Sequence, residues 1–387
     1  MNEKDYLTNK SFCPLPWTGF SIESDGKVKN CICSTDSIGN IKEKSIQDIM
    51  IDTPNEQIKA DMLLNAKPDN CKYCYSLEGD KTNRNIISSR IYYLKELKNV
   101  PKSIYDQNTF SLKHVDLRWQ NSCNFACVYC NPTFSSSWEK ELGVQIDRPS
   151  NEMLQMTKDY ILANASSIEN VYLAGGEPLL MKENEEFLEL LLKVNPTVSL
   201  RVNTNLSKTK TNMFNLLKQF KNVHWTISVE SVEKEFEYMR YGGNWDNFLS
   251  NLTELLTLGL NHKITFNMVW CLLNYQSIFR CIEFLQSWGF HNNSFVITSL
   301  YGPEWLDSRN LPNSVLLLIK DIVQEKINQK PGFLLEDGYN NIIEHINTPF
   351  NKDLTNSLIE IKKIDQRRNI DSREVFKEFY NLIERGK

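Results

Sequence analysis

The sequence predicts an α/β fold: an open or partial barrel of six strand–helix units, a small cysteine-rich N-terminal domain and a C-terminal helical extension. Three observations predict it. Six β-type runs alternate with helical patterns between about residues 112 and 300, eight of the ten cysteines precede residue 131, and the last ~75 residues have helical periodicity.

The barrel is predicted from the order of its elements. The strand-like runs cover 114–120, 171–176, 197–203, 223–229, 264–270 and 294–300. Two of the intervening helices have apolar stripes, formed by Phe248, Leu249, Leu252, Leu255 and Leu256 and by Ile278, Ile282 and Leu285. Alternating strands and helices imply parallel pairing with right-handed crossovers, and ligands of such folds bind at the carboxyl ends of the strands.

The two ends of the chain differ from the barrel. Residues 1–110 have short apolar runs and one expected helix near 86–97, whereas the end of the chain includes an expected helix over 372–385. Looser connections are expected around 302–313 and 331–338 because both contain Pro and Gly. We therefore predict domains at 1–110, 111–302 and 303–387.

Composition restricts the class of protein. The 387 residues are 41% hydrophobic and 24% charged with a net charge of −4, which is typical of a globular chain and gives no overall reason to bind nucleic acid. No apolar run reaches the ~18 residues of a membrane span. The polar start, MNEKDYLTNK, is unlike a signal or transit peptide, so a cytoplasmic protein is expected. Clustered cysteines in a reducing compartment favour metal binding over disulfides.

A three-cysteine motif follows the first predicted barrel strand. Cys123, Cys127 and Cys130 have the spacing C-x3-C-x2-C. Closed structural zinc sites have four ligands, so three thiolates leave one coordination position for another molecule, and thiolates also suit iron–sulfur clusters. The alternative is a structural zinc knuckle that a distant His or Cys completes.

A second cysteine set precedes the barrel. Cys13, Gly26 and Cys31 fit C-x12-G-x4-C, and Cys71 and Cys74 form CKYC. The glycine predicts a hairpin between TGFSIES and KVKNCIC, and this hairpin would bring Cys13 near Cys31. Four thiolates can close a tetrahedral or a cubane site. Cys33 is an alternative ligand to Cys31, and structural zinc is an alternative occupant.

The three-cysteine motif, with Tyr129 before its last cysteine, resembles the signature of the radical S-adenosylmethionine (SAM) superfamily. The resemblance implies a partial (β/α)6 barrel and a 4Fe–4S cluster held by Cys123, Cys127 and Cys130, whose free iron chelates S-adenosylmethionine. It also implies reductive cleavage to a 5′-deoxyadenosyl radical that abstracts a substrate hydrogen. A one-electron reductant such as flavodoxin or ferredoxin is then an expected partner.

Further positions match the same family. Gly175, Gly176, Glu177 and Pro178 form the GGEP element that contacts the methionyl amino group; a plain strand-ending turn is the alternative. Ser228 and Glu230 resemble the ribose and carboxylate contacts, although a polar strand end with a helix cap would look alike. Asn203 and Asn205 are expected to line the site. Arg240 is expected either to bind the methionyl carboxylate or to lie on a solvated turn.

The N-terminal cysteines resemble the first part of SPASM and twitch modules, which bind auxiliary 4Fe–4S clusters and here precede the barrel. The resemblance implies one auxiliary cluster, held by Cys13, Cys31, Cys71 and Cys74.

The substrate is expected to be a peptide; a sugar, a nucleotide or another small molecule is the alternative, and neither a membrane nor nucleic acid is an expected partner. A non-catalytic zinc-binding platform is the alternative from another class. Cys271 and Cys281 are expected to be buried thiols. The serines of TFSSSW (133–138) are expected to cap a helix, and KKIDQRRNI (362–370) to form a solvated face.

Overall fold

The computed structural model describes residues 9–79, 88–96, 110–259 and 262–385. A nine-stranded sheet organises them, with the strand order β11-β10-β8-β7-β6-β4-β1-β2-β3, and β5 pairs separately with β9. The strands are β1 (Gly19–Ile22), β2 (Lys27–Lys29), β3 (Gly39–Asn40), β4 (His114–Leu117), β5 (Ala126–Cys127), β6 (Asn170–Leu173), β7 (Ser199–Thr204), β8 (Asn222–Ser228), β9 (Arg240–Tyr241), β10 (His262–Trp270) and β11 (Phe295–Ser299).

Six of these strands form the predicted partial barrel. β4, β6, β7, β8, β10 and β11 are neighbours in that order, and every pair among them is parallel. Each coincides with one of the six runs predicted from the sequence. The α/β fold class and the partial (β/α)6 barrel are therefore confirmed.

Helices connect the strands and cover one face of the sheet. In the barrel they are α6 (Ser136–Leu142), α7 (Asn151–Ala163), α8 (Lys182–Val194), α9 (Asn212–Leu217), α10 (Glu233–Met239), α11 (Trp245–Leu256) and α12 (Ser277–Ser287). The expected apolar stripes are in α11 and α12, although Leu256 at the end of α11 is exposed. The N-terminal helices are α1 (Leu15–Thr18), α2 (Ile46–Met50), α3 (Thr53–Leu63), α4 (Lys72–Gly79) and α5 (Ser89–Glu96).

The strands have an apolar face and a polar face. In β8, buried Val223, Trp225 and Ile227 alternate with partly exposed residues. The Trp225 ring lies 5.4 Å from the ring of Phe214 in α9, so this face packs against the helices. The alternate side chains consequently point to the concave side of the sheet, where a barrel binds its ligands.

The N-terminal segment extends the barrel sheet. β1 and β2 form the predicted antiparallel hairpin, which turns at Gly26. β1 also pairs in parallel with β4, with Gly19 opposite His114 and Ile22 opposite Leu117. The cysteine-rich segment is thus joined to the barrel through main-chain hydrogen bonds. The domain limits at 110 and 302 stay predictions.

The C-terminal extension is helical, as expected. It contains α13 (Asn313–Asn328), α14 (Phe333–Asn347), α15 (Leu354–Arg368), α16 (Ser372–Val375) and α17 (Lys377–Arg385). The loose connection expected at 331–338 is wrong because α14 begins at Phe333; its Gly338 packs on β11, where an added Cβ would lie 2.8 Å from Cβ of Ile297. The helix expected over 372–385 is interrupted at Phe376. No helix in the described ranges is both long and apolar enough to cross a bilayer.

Candidate active site

The three-cysteine loop lies at the carboxyl end of β4, as predicted. Cys127 is in β5, which pairs with β9 so that Cys127 faces Arg240. The amide of Cys130 donates to the carbonyl of Cys127 at 2.9 Å, which closes the turn between these two residues. The loop thus presents three thiols from one short, hydrogen-bonded segment.

The serine-rich turn after the loop holds the loop in place. Ser135 caps α6 by accepting from the amide of Trp138, as expected. The contacts extend beyond capping, since the Ser136 hydroxyl accepts from the amide of Cys123 at 3.1 Å and the Trp138 indole donates to the carbonyl of Cys127 at 2.8 Å. These positioning contacts were missed by the sequence analysis, which identified only the cap.

Arg240 is buried beside the loop rather than on a solvated turn, so that alternative is wrong. Its Nη1 donates to Cys127 Sγ at 3.4 Å, and its Nε donates to the Ser228 carbonyl at 3.0 Å. Glu230 lies 3.3 Å from the same Nε and accepts from the Tyr129 hydroxyl at 2.7 Å. Burial raises the pKa of Glu230, and the adjacent guanidinium opposes this shift. Five predicted site residues, Cys127, Tyr129, Ser228, Glu230 and Arg240, are thereby brought into one network, in which Ser228 takes part through its carbonyl.

The GGEP element packs directly against the start of the loop. An added Cβ at Gly176 would lie 2.2 Å from the carbonyl oxygen of Ser122, so only glycine allows this approach. Gly175 adopts a φ of +105°, which also favours glycine. The amide of Glu177 donates to the same Ser122 carbonyl at 2.8 Å, and Pro178 begins a short 3₁₀ turn.

The carboxylate of Glu177 is buried and accepts three hydrogen bonds. The Thr204 hydroxyl and the Asn205 amide each donate to it at 2.7 Å, and the amide of Leu179 donates at 3.1 Å. Burial raises its pKa, whereas these hydrogen bonds lower it in part. Since a carboxylate offers about four acceptor positions, about one is left for a bound ammonium group.

Asn203, Asn205 and Ser228 lie at the carboxyl ends of β7 and β8, and their contact with a ligand stays a prediction. Asn205 directs its amide toward Cys123 Sγ, at 3.9 Å, and toward Asn124. Asn203 and Ser228 are on the polar, concave face of β7 and β8. Within the described ranges, Oδ1 of Asn203 is buried without a hydrogen-bond partner, as expected of an atom that meets a ligand donor.

A residue of the C-terminal extension also contacts the loop. Arg368, at the end of α15, donates from Nη2 to the carbonyl of Ala126 at 2.8 Å and from Nε to Glu141 at 3.0 Å. Its guanidinium lies over the rings of Trp138 and Tyr241, at 4.8 Å and 4.3 Å. The solvated face expected for KKIDQRRNI is therefore wrong at Arg368, which is only 7% exposed. No sequence pattern signals a contact with a loop about 240 residues earlier.

The loop thiols suit a thiolate-bound cluster. N–H donors approach two of the sulfurs, from Arg240 to Cys127 and from Asn205 to Cys123, and such donors stabilise thiolates. The Cys130 thiol donates to the carbonyl of Asn131 at 3.7 Å. Burial raises the pKa of Cys130 to about 12 and raises that of Cys123 as well. Both thiols are thus protonated when free, and binding a metal would release those protons.

The N-terminal cysteines converge as predicted. Five thiols line one cavity with Tyr75 and Arg90, namely Cys13, Cys31, Cys33, Cys71 and Cys74. Burial is the largest cause raising the pKa of Cys13 to about 12 and that of Cys71 to about 11. Arg90 is held in the cavity wall by bonds to Glu78 and to the Phe12 carbonyl, and supplies a positive charge next to the thiols.

Cys31 and Cys33 both face this cavity. The Cys31 sulfur accepts from the amide of Cys33 at 3.3 Å, whereas the Cys33 sulfur lies 3.3 Å from the Ser89 hydroxyl. Sulfurs bound to iron commonly accept such amide hydrogen bonds. The assignment of Cys31 rather than Cys33 as the ligand stays a prediction.

The remaining cysteines are core residues, as expected. Cys271 and Cys281 are fully buried in the hydrophobic core.

Nowhere in the described ranges are three His, Cys, Asp or Glu side chains arranged to share a single metal ion.

Two protein families match the chain. The radical SAM superfamily matches residues 117–302, and the SPASM iron–sulfur cluster-binding domain matches residues 13–75. The first match spans the barrel strands and the three-cysteine loop. The second begins at Cys13 and includes all five N-terminal thiols.

Curated relatives are similar over part of their length. The GTP 3′,8-cyclase of Sulfurimonas denitrificans is 26% identical over 155 residues, which is 38% of this chain and 43% of that protein. The GTP 3′,8-cyclase of Campylobacter jejuni subsp. doylei is 24% identical over 191 residues, 48% of this chain and 55% of the relative. The chain spans about half the length of these relatives.

Two solved structures are similar to the chain at lower sequence identity. Streptococcus suis SuiB bound to its precursor peptide SuiA has a TM-score of 0.43 and 14% identity, covering 72% of this chain and 60% of that one. Native anSMEcpe with bound AdoMet has a TM-score of 0.42 and 14% identity, covering 57% and 62%. The two family matches imply three cofactors. These are S-adenosylmethionine, a 4Fe–4S cluster and an auxiliary iron–sulfur cluster. The chain is an enzyme with a radical SAM domain at residues 117–302, preceded by an iron–sulfur cluster-binding SPASM domain at residues 13–75.

Proposed function

We propose that this enzyme cleaves S-adenosylmethionine reductively at the three-cysteine loop and abstracts a hydrogen atom from a substrate on the concave face of the barrel. When bound, the 4Fe–4S cluster supplies the electron that breaks the sulfonium bond, and the resulting radical takes the hydrogen. The observation that carries the proposal is the surroundings of the loop thiols, where N–H donors approach the sulfurs of Cys127 and Cys123.

The chain contributes positioning and charge. Cys123, Cys127 and Cys130 hold the cluster in this proposal, with Arg240 donating to the Cys127 sulfur. A hydrogen bond and a positive charge at a ligand sulfur both favour the more negative, reduced state of a cluster. Tyr129 and Glu230 fix the guanidinium, so the charge stays directed at the sulfur.

The cofactor is bound next to the GGEP element. Glu177 is buried and anchored by Thr204 and Asn205, and its remaining acceptor position would receive the ammonium of S-adenosylmethionine. Ser228 and Asn203, on the concave face, are the proposed contacts for the rest of the cofactor. The unpartnered Oδ1 of Asn203 supports a ligand at that position.

The auxiliary cluster is proposed to be bound by Cys13, Cys31, Cys71 and Cys74. A cluster with four protein ligands has no open iron, so its contribution would be electron transfer or the shaping of the substrate cavity. Cys31 follows β2 and the three-cysteine loop follows β4, and β1 pairs with both of these strands.

The substrate is proposed at the level of class. The sequence favours a peptide, and a nucleotide is the second candidate because relatives named GTP 3′,8-cyclase match part of the chain. Oxidation, cross-linking and cyclisation are all compatible with the same first hydrogen abstraction.

The test is anaerobic reconstitution with iron and sulfide, followed by reduction in the presence of S-adenosylmethionine. We expect visible charge-transfer absorbance and formation of 5′-deoxyadenosine. Cys127→Ser should abolish that product, whereas Cys281→Ser, a core thiol, is the matched control and should retain it. A colourless protein with stoichiometric zinc would instead establish the non-catalytic platform.

A further inference from the structure

The concave face of the barrel is positively charged, although the whole chain carries a net charge of −4. Four charged residues lie on this face. Asp116 and Arg118 of the first strand form an ion pair at 3.1 Å and cancel each other. Arg201 and Lys263 remain, and in the described part of the chain neither has an ion-pair partner.

The two unpaired cations flank a histidine on three adjacent strands. Arg201 of β7 is opposite His224 of β8, and His224 is opposite Lys263 of β10. Neighbouring strands are ~4.8 Å apart, so the three side chains emerge side by side. Arg201 and Lys263 are exposed to solvent, and His224 is half-buried.

The surroundings of this row provide the features of a binding site. His224 is bonded to the Thr265 hydroxyl at 2.9 Å. On β4, the ring of His114 lies 4.7 Å from the ring of Tyr93 of α5. Two residues after Arg201 on the same face of β7, Oδ1 of Asn203 is buried without a hydrogen-bond partner among the described residues.

The charges of Arg201 and Lys263 and the protonation state of His224 also favour the binding of an anion. The pKa of His224 is lowered to about 4, first by burial and then by Arg201 and Lys263. The imidazole is thus neutral at pH 7 and can donate a hydrogen bond, while the two cations attract negative charge to the cavity.

We propose that Arg201, His224 and Lys263 form a subsite that binds an anionic group of the substrate, a phosphate or a carboxylate. The subsite rests on the proposed function because it defines the substrate of the same cavity. His224 precedes Ser228 by four residues of one strand, which corresponds to ~13 Å along β8. The carbonyl of Ser228 accepts a hydrogen bond from Arg240, which also contacts the three-cysteine loop, so Ser228 lies at the end of β8 nearest that loop. A substrate that reaches from this subsite to the level of Ser228 is therefore extended over ~13 Å.

The experiment compares the reconstituted holoenzyme with Arg201→Gln/Lys263→Gln and with Lys193→Gln, an exposed lysine on α8 that serves as the matched control. Calorimetry with S-adenosylmethionine present measures binding of tripolyphosphate in one arm and of tetraglutamate in the other. We expect one of these probes to bind the parent and the control equally, and to bind the double variant at least about tenfold more weakly. Tripolyphosphate binding identifies a nucleoside polyphosphate-like substrate, and tetraglutamate binding identifies an acidic peptide.

Two outcomes overturn the subsite: neither probe binds the parent, or the double variant binds as tightly as the parent. Production of 5′-deoxyadenosine without substrate, under reducing conditions, separates this failure from failure of the proposed function. If all three proteins cleave S-adenosylmethionine at the same rate but none binds a probe, the subsite is refuted and the proposed function stands. Absence of cleavage in all three refutes the proposed function instead.

Discussion

Replacing Arg368 with alanine is expected to destabilise the folded enzyme by about 3 kcal/mol and to loosen the three-cysteine loop. The charged hydrogen bond to the Ala126 carbonyl, at 2.8 Å, contributes about 1.5–3 kcal/mol. The contacts with the Trp138 and Tyr241 rings add about 0.5–1 kcal/mol each, and these contributions are not fully additive. The side chain of Arg368 is 1% exposed, so water cannot replace these contacts in the folded protein.

Arg367 is the matched control. It bonds the same Glu141 at 2.9 Å and lies 5.6 Å from the same indole, but its side chain is 36% exposed and these contacts are with α6. Arg367→Ala should therefore cost less than about 1 kcal/mol. Urea unfolding of the anaerobically purified proteins measures both changes, and iron content reports the loop cluster. Equal losses for the two variants, or an unchanged iron content in Arg368→Ala, would refute the idea that α15 supports the loop.

Three other predictions follow from the geometry of the two cysteine sites and the barrel. Gly176→Ala should lower the iron content to that of the auxiliary site alone, because its Cβ would lie 2.2 Å from the Ser122 carbonyl; full iron content would contradict this. Cys31→Ser should lose the auxiliary cluster signal in electron paramagnetic resonance spectra while Cys33→Ser retains it, and the reverse result would assign Cys33. The pKa of His224 falls from its ordinary 6.5 to about 4 on folding. The folded state therefore binds fewer protons than the unfolded state between these values, so stability falls as the pH drops from about 6.5 to about 4. In His224→Gln, the free energy of unfolding should therefore differ less between pH 7 and pH 5 than in the parent enzyme, and unfolding curves measured at both pH values check this.

Local patterns were sufficient to predict the barrel and both cysteine groups. Each strand run has its own apolar character, and the spacing of Cys123, Cys127 and Cys130 is visible without knowledge of the fold. The hairpin turn at Gly26 is equally local. These features depend on residues that are near one another along the chain.

The missed features depend on contacts between distant segments. The bond from Arg368 to Ala126 and the network of Tyr129 with Glu230 join residues more than one hundred positions apart. The parallel pairing of β1 with β4 was missed for the same reason. Burial of Arg240 follows from the pairing of β9 with β5, whereas its neighbouring sequence, RYGGNW, resembles an exposed turn.

The pairing of β1 with β4 affects how the enzyme is made. Residues 19–22 reach their parallel partner only after residue 117 has been synthesised. At ordinary translation speeds this interval is roughly 5–20 s, during which β1 lacks its parallel partner. The residues that line the N-terminal cysteine cavity all lie between positions 13 and 90, so they are synthesised before the strand that joins their segment to the barrel sheet.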